Sequence, residues 1–503
     1  MNVVKKFSKL DKYTKLSIIV ILIGIILRFW LASVHHVAGD ACWQLSNSRF
    51  IAENLKLPLF EHFGRDEPFW APPLFHIISA AVYIIFNNFS VHAADFAVKL
   101  VSPLFGSLTL IFLFLISRKL FDNKTAFYSV IFLTFIPLHI DYSVFSYIDG
   151  MLAFLCVLSV YFALENKIVY SAIALGLAIL TKYNGIFILP ALLFILYKNN
   201  KKQSKSVFNK ILLPLIISGA IGSIWFIRNW IYLGNPVWPF MNSIFHGYKV
   251  ESFTKAAVGA VNILNIFNIQ AVQSVYLGIF GIPDGNIKSL YFYSIPYLGI
   301  FFTLWIIGTI IFLIPLFYGL ISRKLKHRSL LFIWIGSYIV LGLLYVINAS
   351  WAITRFLLPA FPALAIIWWH GIERIKSVKT KKIFIMLIVM IIAGFIFTSF
   401  VKIKLAADSW NFYAEDFNWA KSNTKKDSVF ISESQCISYN INRQTISPNI
   451  INLDAADYAF VNQDFRLDRR EVFDNKVLSA IERNGRIVYS NGKTKTVIYK
   501  LQN

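Results

Sequence analysis

The chain has 503 residues, of which 57% are hydrophobic and 17% aromatic, and its mean hydropathy is +0.61. No soluble globular protein carries that load, and many separate apolar runs approach the roughly 20 residues that a membrane-spanning helix needs. The net charge of +23 by itself would suit a nucleic-acid partner. The basic residues instead lie in short connections between apolar runs, which is the positive-inside pattern and argues against nucleic acid.

Lys5, Lys6, Lys9, Lys12 and Lys15 precede the first apolar run, 16–34, and place the N-terminus on the cytoplasmic side. That run is long and lacks a small-residue cleavage site, so it reads as a retained span. The chain changes character at His35 and keeps it to Pro73. Gly39 allows a sharp turn, and Asp40 follows within a few residues of the membrane exit. Asp40 can be read as a cap for the helix from Ala41. It can equally be a carboxylate held at the membrane surface, placed for a reaction between a lipid-borne donor and an outside acceptor. Two apolar segments, 72–86 and 95–117, separate it from the basic group Arg118, Lys119 and Lys124. If both crossed, that group would fall outside. The first is short and opens on Pro-Pro, a helix start, so it is expected to lie in the outer interface.

The rest alternates: 95–117 inward, 125–140 outward, then 150–165, 168–181, 183–197 and 208–230. A long external segment, 231–295, precedes 296–321, 328–347, 353–371 and 381–400. This expectation of about eleven spans keeps inside Lys198, Lys201, Lys202 and Lys205, then Arg323, Lys324, Lys326 and Arg328, then Arg374, Lys376, Lys379, Lys381 and Lys382. The external segment carries aromatic, turn-rich stretches at 234–240 and 279–294. Residues 261–280 space apolar groups as a second interface-lying helix or a packed lid. Past residue 400 the composition becomes ordinary. Residues 408–423 read as a helix with Trp410, Tyr413 and Phe417 along one side, and 427–432, 457–462, 485–490 and 495–501 as short strands. The expected architecture is therefore a polytopic α-helical transmembrane unit, 1–400, with a small soluble α/β domain, 401–503, outside the cell membrane. That domain has no nucleotide-binding glycine motif and reads as an acceptor platform or a stabilising cap.

Charges at the outer ends of spans need an explanation, because one at mid-bilayer costs about 2.5–3.5 kcal/mol on insertion scales. Asp40, Asp141, Asp149, Lys182, Arg228 and Arg355 all fall there. Snorkelling accounts for each alone. Together they put acids and bases on one membrane face, as the handling of an anionic, lipid-linked molecule requires. Displacing a lipid phosphate from an anomeric carbon needs cations for the departing phosphate, a role open to Lys182, Arg228 and Arg355. It also needs a base for the acceptor's proton, with Asp40 first and Asp149 next. A single displacement predicts inversion. His35, His36, Glu61, His62 and Asp149 share that side and can bind a divalent ion. Cys42, Cys156 and Cys436 show no metal-like spacing, and a Cys42–Cys436 bridge outside is open to the chain. A transporter or channel would also carry intramembrane charges, although its inverted repeats are not visible here. In a non-catalytic assembly or sensor subunit, Asp40 would have no chemical role.

The order of several short pieces resembles the protein mannosyltransferase and aminoarabinose-transferase group of the GT-C glycosyltransferases. They are Gly39-Asp40, Pro72-Pro73-Leu74, Arg118-Lys119-Leu120-Phe121, Asp149, Thr181-Lys182 and Arg355 to Ala360. The resemblance spans roughly 16–400. It implies a transferase using a polyprenyl-phosphate sugar, a protein, lipid or glycan acceptor, Asp40 as catalytic base and two interface helices in the first loop. Ala41 stands where the family often has a second acid, and Ala71 where some members have a lysine before Pro-Pro. Donor identity and phosphate grip therefore do not carry over.

Overall fold

The computed structural model describes residues 9–61, 67–200, 207–248, 262–281, 298–349, 353–432, 434–462 and 474–502. The first span is α1 (Lys12–Val34), capped by the Asp11 carboxylate, which accepts the backbone N–H of Tyr13 and Thr14. The first loop holds α2 (Asp40–Asn54), a small antiparallel ribbon of β1 (Phe60–Glu61) and β2 (Glu67–Pro68), and α3 (Leu74–Asn87). α4 (Val91–Lys99) and α5 (Val101–Leu120) together form one long apolar run. α6 (Asn123–Phe135) and α7 (Pro137–Val144) follow, bent by 61° at their break.

Pro137 explains the bend, because it has no N–H to return to the preceding turn. The exposed carbonyls find a donor in the first span. Buried Arg28 donates through Nη2 to the carbonyls of Leu133 (3.3 Å) and Thr134 (3.1 Å), and lies 2.7 Å from His139 Nδ1. This intramembrane cation is thus used on backbone.

α8 (Asp149–Leu164), α9 (Ile168–Thr181), α10 (Leu189–Asn200) and α11 (Val207–Leu233) complete the first half. α12 (Ile269–Ile279), α13 (Leu298–Ile321), α14 (Arg328–Ala349), α15 (Phe361–Glu373) and α16 (Val378–Asn411) complete the second. Among the described residues, seven helices are long and apolar enough to cross a membrane, or eight with the bent α6–α7 pair. The expected spans at 150–165, 168–181 and 183–197 are helical but shorter, so these lengths do not establish eleven crossings. The protein is a multi-pass membrane protein. Its core joins α1, α5, α6, α8 to α10 and α13 to α16 around Trp334, Tyr338, Trp368 and Phe312. Buried indole N–H groups find carbonyls there: Trp334 donates to Pro359 and Trp368 to Phe312, 2.9 and 2.8 Å.

α3 buries Phe75, His76, Ser79, Ala80 and Tyr83 and exposes Ile77, Ile84, Ile85 and Phe86, an apolar face that suits contact with lipid whether the helix lies in the interface or crosses. Ile269 and Val272 of α12 are likewise exposed. The aromatic stretch at 279–294 lies outside the described residues beyond Gly281.

α16 continues through position 401 to Asn411, so the chain enters its C-terminal part as an unbroken helix. There α17 (Ala414–Asn423), β3 (Val429–Ile431), α18 (Gln435–Ile441), β4 (Gln444–Ile446), β5 (Tyr458–Asn462), α19 (Asn475–Asn484), β6 (Gly485–Asn491) and β7 (Thr496–Leu501) build an α/β unit. The sheet order is β4-β3-β5-β7-β6, parallel across β4, β3 and β5 and antiparallel across β5, β7 and β6. The four expected strands are β3, β5, β6 and β7. β4 was not foreseen, since three residues carry no alternation to read. The expected helix 408–423 is the end of α16 and then α17, broken around Phe412 and Tyr413.

This unit packs on the first loop. Val37, Ala41, Cys42, Leu45, Tyr83 and Val98 share one apolar cluster with Trp410, Tyr413, Phe417, Phe430, Ile437 and Phe460. Cys42 and Cys436 close the disulfide open to them, from α2 to α18. Arg49 adds bonds across the same seam to the Tyr439 carbonyl (3.2 Å) and Asn442 Oδ1 (2.8 Å).

Candidate active site

Gly39 takes φ of 59°, a left-handed conformation, and a Cβ there would lie 3.0 Å from the Tyr147 hydroxyl. The turn brings Asp40 into the first turn of α2. Asp149 opens α8 in the same way. Both carboxylates thus sit at helix N-termini, where the backbone dipole favours negative charge. Gly150 lets α8 start against α7, since a Cβ there would sit 2.8 Å from the Tyr142 carbonyl. Lys182 ends α9 in an extended conformation, and Arg355 lies in the 3₁₀ turn Thr354–Ala360.

These four side chains form a row. Arg355 Nη2 donates to Asp40 Oδ2 at 2.7 Å, and Arg355 Nε stands 4.0 Å from Asp149 Oδ2. Lys182 Nζ donates to Asp149 Oδ1 at 2.7 Å. Aromatic rings flank the cations: Arg355 lies 4.9 Å from the centre of Tyr147 and Lys182 4.7 Å from that of Phe356. The two acids differ in exposure. The Asp149 side chain is 1% exposed and that of Asp40 21%. Buried charges need close partners, and Asp149 has two cations. Even so, Asp149 Oδ2 and Arg355 Nε are buried without a hydrogen bond among the described residues. The row holds its cations firmly while leaving polar capacity unused.

Two of the expected site residues are placed elsewhere. Arg228 donates to the carbonyls of Phe69 (2.7 Å) and Pro58 (3.2 Å) and to Asn229 Oδ1 (2.9 Å), over the Trp225 ring. It brackets the ribbon that leads to Pro72-Pro73. Asp141 pairs with Lys402, which also donates to the Gly281 carbonyl at 3.0 Å. Lys402 was not foreseen as a partner, because nothing local links it to a residue 261 positions away.

The residues expected to hold a divalent ion do not converge. His35 packs on the Phe145 ring, and His36 stacks on Trp410 and meets Asn440. Glu61 accepts from Trp43 Nε1 and Asn47, and His62 lies outside the described residues. Among the described residues no three His, Cys, Asp or Glu side chains gather as a metal site.

Residues 70–231, about a third of the chain, match the dolichyl-phosphate-mannose-protein mannosyltransferase family. No curated protein matches the sequence. Solved structures share the fold. ArnT from Cupriavidus metallidurans in the apo state has a TM-score of 0.62 at 13% identity, over 97% of this chain and 98% of that one. The same protein bound to undecaprenyl phosphate has a TM-score of 0.60 at 13% identity, over 96% and 97%. Archaeal oligosaccharyltransferase AglB from Archaeoglobus fulgidus, in complex with an inhibitory peptide and a dolichol-phosphate, has 0.56 at 13% identity, over 98% and 74%. The GT-C resemblance read from the sequence is borne out in the fold. The Archaeoglobus enzyme has also been solved with zinc and sulfate. In this chain Asp40 and Asp149 each hold a cationic side chain, so the row as built does not suit a metal.

Proposed function

We propose that this protein is a glycosyltransferase that moves a sugar from a polyprenyl-phosphate donor to an acceptor at the outer face of the membrane, with inversion and with Asp40 as base. The row Asp40–Arg355–Asp149–Lys182 carries this reading: one partly open carboxylate touches a cation that a buried acid holds from behind. The family match over 70–231 and the fold shared with a protein solved on undecaprenyl phosphate support it.

The donor phosphate seats against Arg355 and Lys182 with its lipid tail in hydrocarbon. As the guanidinium turns toward the phosphate, Asp40 Oδ2 opens to the acceptor. The acceptor's O–H or N–H gives its proton to Asp40 while its heavy atom bonds to the anomeric carbon. The bond from that carbon to the phosphate oxygen breaks, and its electron pair leaves on the phosphate. Arg355, once turned, and Lys182 hold the charge that develops there, both in place before the bond breaks. Asp149 acts through them as a positioning residue. One displacement inverts the anomeric centre.

In this reading the N-terminus is cytoplasmic and the C-terminal unit outside. The Cys42–Cys436 disulfide supports that side, because such bonds persist in oxidising compartments. Purified protein given labelled polyprenyl-phosphate sugars and membrane acceptors should transfer label with inverted configuration, and retained configuration would overturn the single displacement. A cysteine introduced as Asn88→Cys should react with an impermeant thiol reagent from outside. Reaction only from the cytoplasmic side would show that α3 crosses.

A further inference from the structure

We propose that the seam between the first loop and the C-terminal unit holds an anion-binding site, separate from the catalytic row, that takes a phosphate-class group. A cleft of about 200 Å³ opens there, lined by His36, Arg49, Asp95, Lys99, Lys421 and Asn440 among others. Its cations come from both sides of the seam. Lys99 lies in the last turn of α4 and Lys421 in the last turn of α17.

The charges in the cleft do not cancel. Arg49 and Asp95 pair at 2.7 Å, and Arg49 gives its remaining contacts to Tyr439 and Asn442. His36 and Asn440 satisfy each other at 3.2 Å, and Asn440 Nδ2 donates to the Cys436 carbonyl at 2.8 Å. Among the described residues the Lys99 and Lys421 ammonium groups meet no carboxylate within hydrogen-bonding reach, and both line the cleft. Lys99 and Lys421 are both partly buried, Asp95 is the opposite charge that acts on each of them, and an anion in the cleft would give each ammonium group a charge-assisted hydrogen bond that it lacks. A phosphate oxygen set suits point-charge ammonium donors that approach from separate elements.

That chemistry has two sources, a lipid headgroup and a soluble phosphate. Phe96 and Val91 of α4 are exposed apolar groups on the helix that delivers Lys99, which places the cleft close to lipid. The inference does not depend on the transfer reaction, because neither lysine belongs to the row.

The test uses the full chain in nanodiscs free of polyprenyl phosphate, whose own phosphate would compete for the cleft; binding at the catalytic row would be common to wild type and the lysine variants. In phosphatidylcholine discs, inorganic pyrophosphate is titrated. In a second arm, phosphatidylglycerol replaces part of the phosphatidylcholine. The thermal midpoint is followed for wild type, Lys99→Ala with Lys421→Ala, and Lys99→Arg with Lys421→Arg. Wild type should show a saturable rise in at least one arm. The alanine pair should need tenfold more anion or more, and the arginine pair should retain the response. A response to pyrophosphate assigns a soluble phosphate, and one to phosphatidylglycerol assigns a headgroup. No saturable response in wild type, or equal responses in wild type and the alanine pair, overturns the site.

Discussion

Arg355 and Arg228 carry the same guanidinium, and both stand near the ends of apolar helices, yet their surroundings differ. Arg228 faces backbone: carbonyls of Phe69 and Pro58 and the neighbouring Asn229 take its donors. Arg355 faces two carboxylates and keeps a buried Nε without a hydrogen bond among the described residues. A guanidinium whose donors end on carbonyls fixes a chain segment. One that bridges acids and retains an unused donor can exchange a partner for an incoming phosphate. The acids divide in the same way. Asp141 is closed off by Lys402, whereas Asp40 shares its cation and stays partly open.

The largest effect expected from this contrast is on turnover. Asp40→Asn keeps the size and one acceptor oxygen but cannot take a proton. Transfer should fall by about 10²–10⁴-fold, the usual contribution of a general base, while donor binding persists. Near-normal transfer would remove Asp40 as base and make Asp149 the next residue to test; a capping role is already excluded, because Gly39 is the N-cap of α2 and no side chain caps that helix.

Next is the direct comparison of the cations. Arg355→Ala or Lys182→Ala should weaken donor binding by about 1.5–3 kcal/mol, the range for a hydrogen bond to a charged group. Arg228→Ala should leave donor affinity unchanged and lower the thermal midpoint. Equal losses of affinity in all three would erase the distinction drawn from their partners.

The tie between the first loop and the C-terminal unit gives a third effect. Cys42→Ser should destabilise the docked unit by about 2–5 kcal/mol, and Cys42→Ser with Cys436→Ser should match it, because both remove one bond. Protease sensitivity of the C-terminal unit measures this. A double variant much weaker than the single one would mean that Cys436 has another role.

The smallest effect expected is a pH dependence at the same seam. Burial, with nearby Lys99 adding to it, pushes the His36 imidazole down to about 4. The folded state therefore favours neutral His36, while an unfolded chain protonates it near 6.5. The stabilising contribution is complete above about 6.5 and is lost as pH falls toward 4. His36→Gln should flatten that part of the profile of thermal midpoint against pH, and an unchanged slope would assign it to other groups.

Much was legible in the chain itself. Hydropathy and lysine placement marked the helices that are long enough to span, and alternation marked four strands of the C-terminal sheet. A bilayer makes each span readable alone, since every crossing must satisfy its own backbone and apolar demand. Asp40, Asp149, Lys182 and Arg355 were also visible as costly charges at the ends of apolar runs, and the structure brings the four together.

What the residues could not tell was which charges meet. Asp40 finds Arg355 across 315 positions and Asp141 finds Lys402 across 261, while Arg228 turns to backbone. Arg28, within the first span, is used on carbonyls freed by Pro137. The Cys42–Cys436 bridge and the basic cleft beside it likewise exist only where the C-terminal unit lands on the first loop. The sequence by itself determined the membrane class, the order of helices and the kinds of charged groups near the ends of the apolar runs. Pairing was decided by tertiary structure alone, because the energy of a charge near lipid is set by whichever partner packing brings within a few ångströms, and no local pattern encodes that partner.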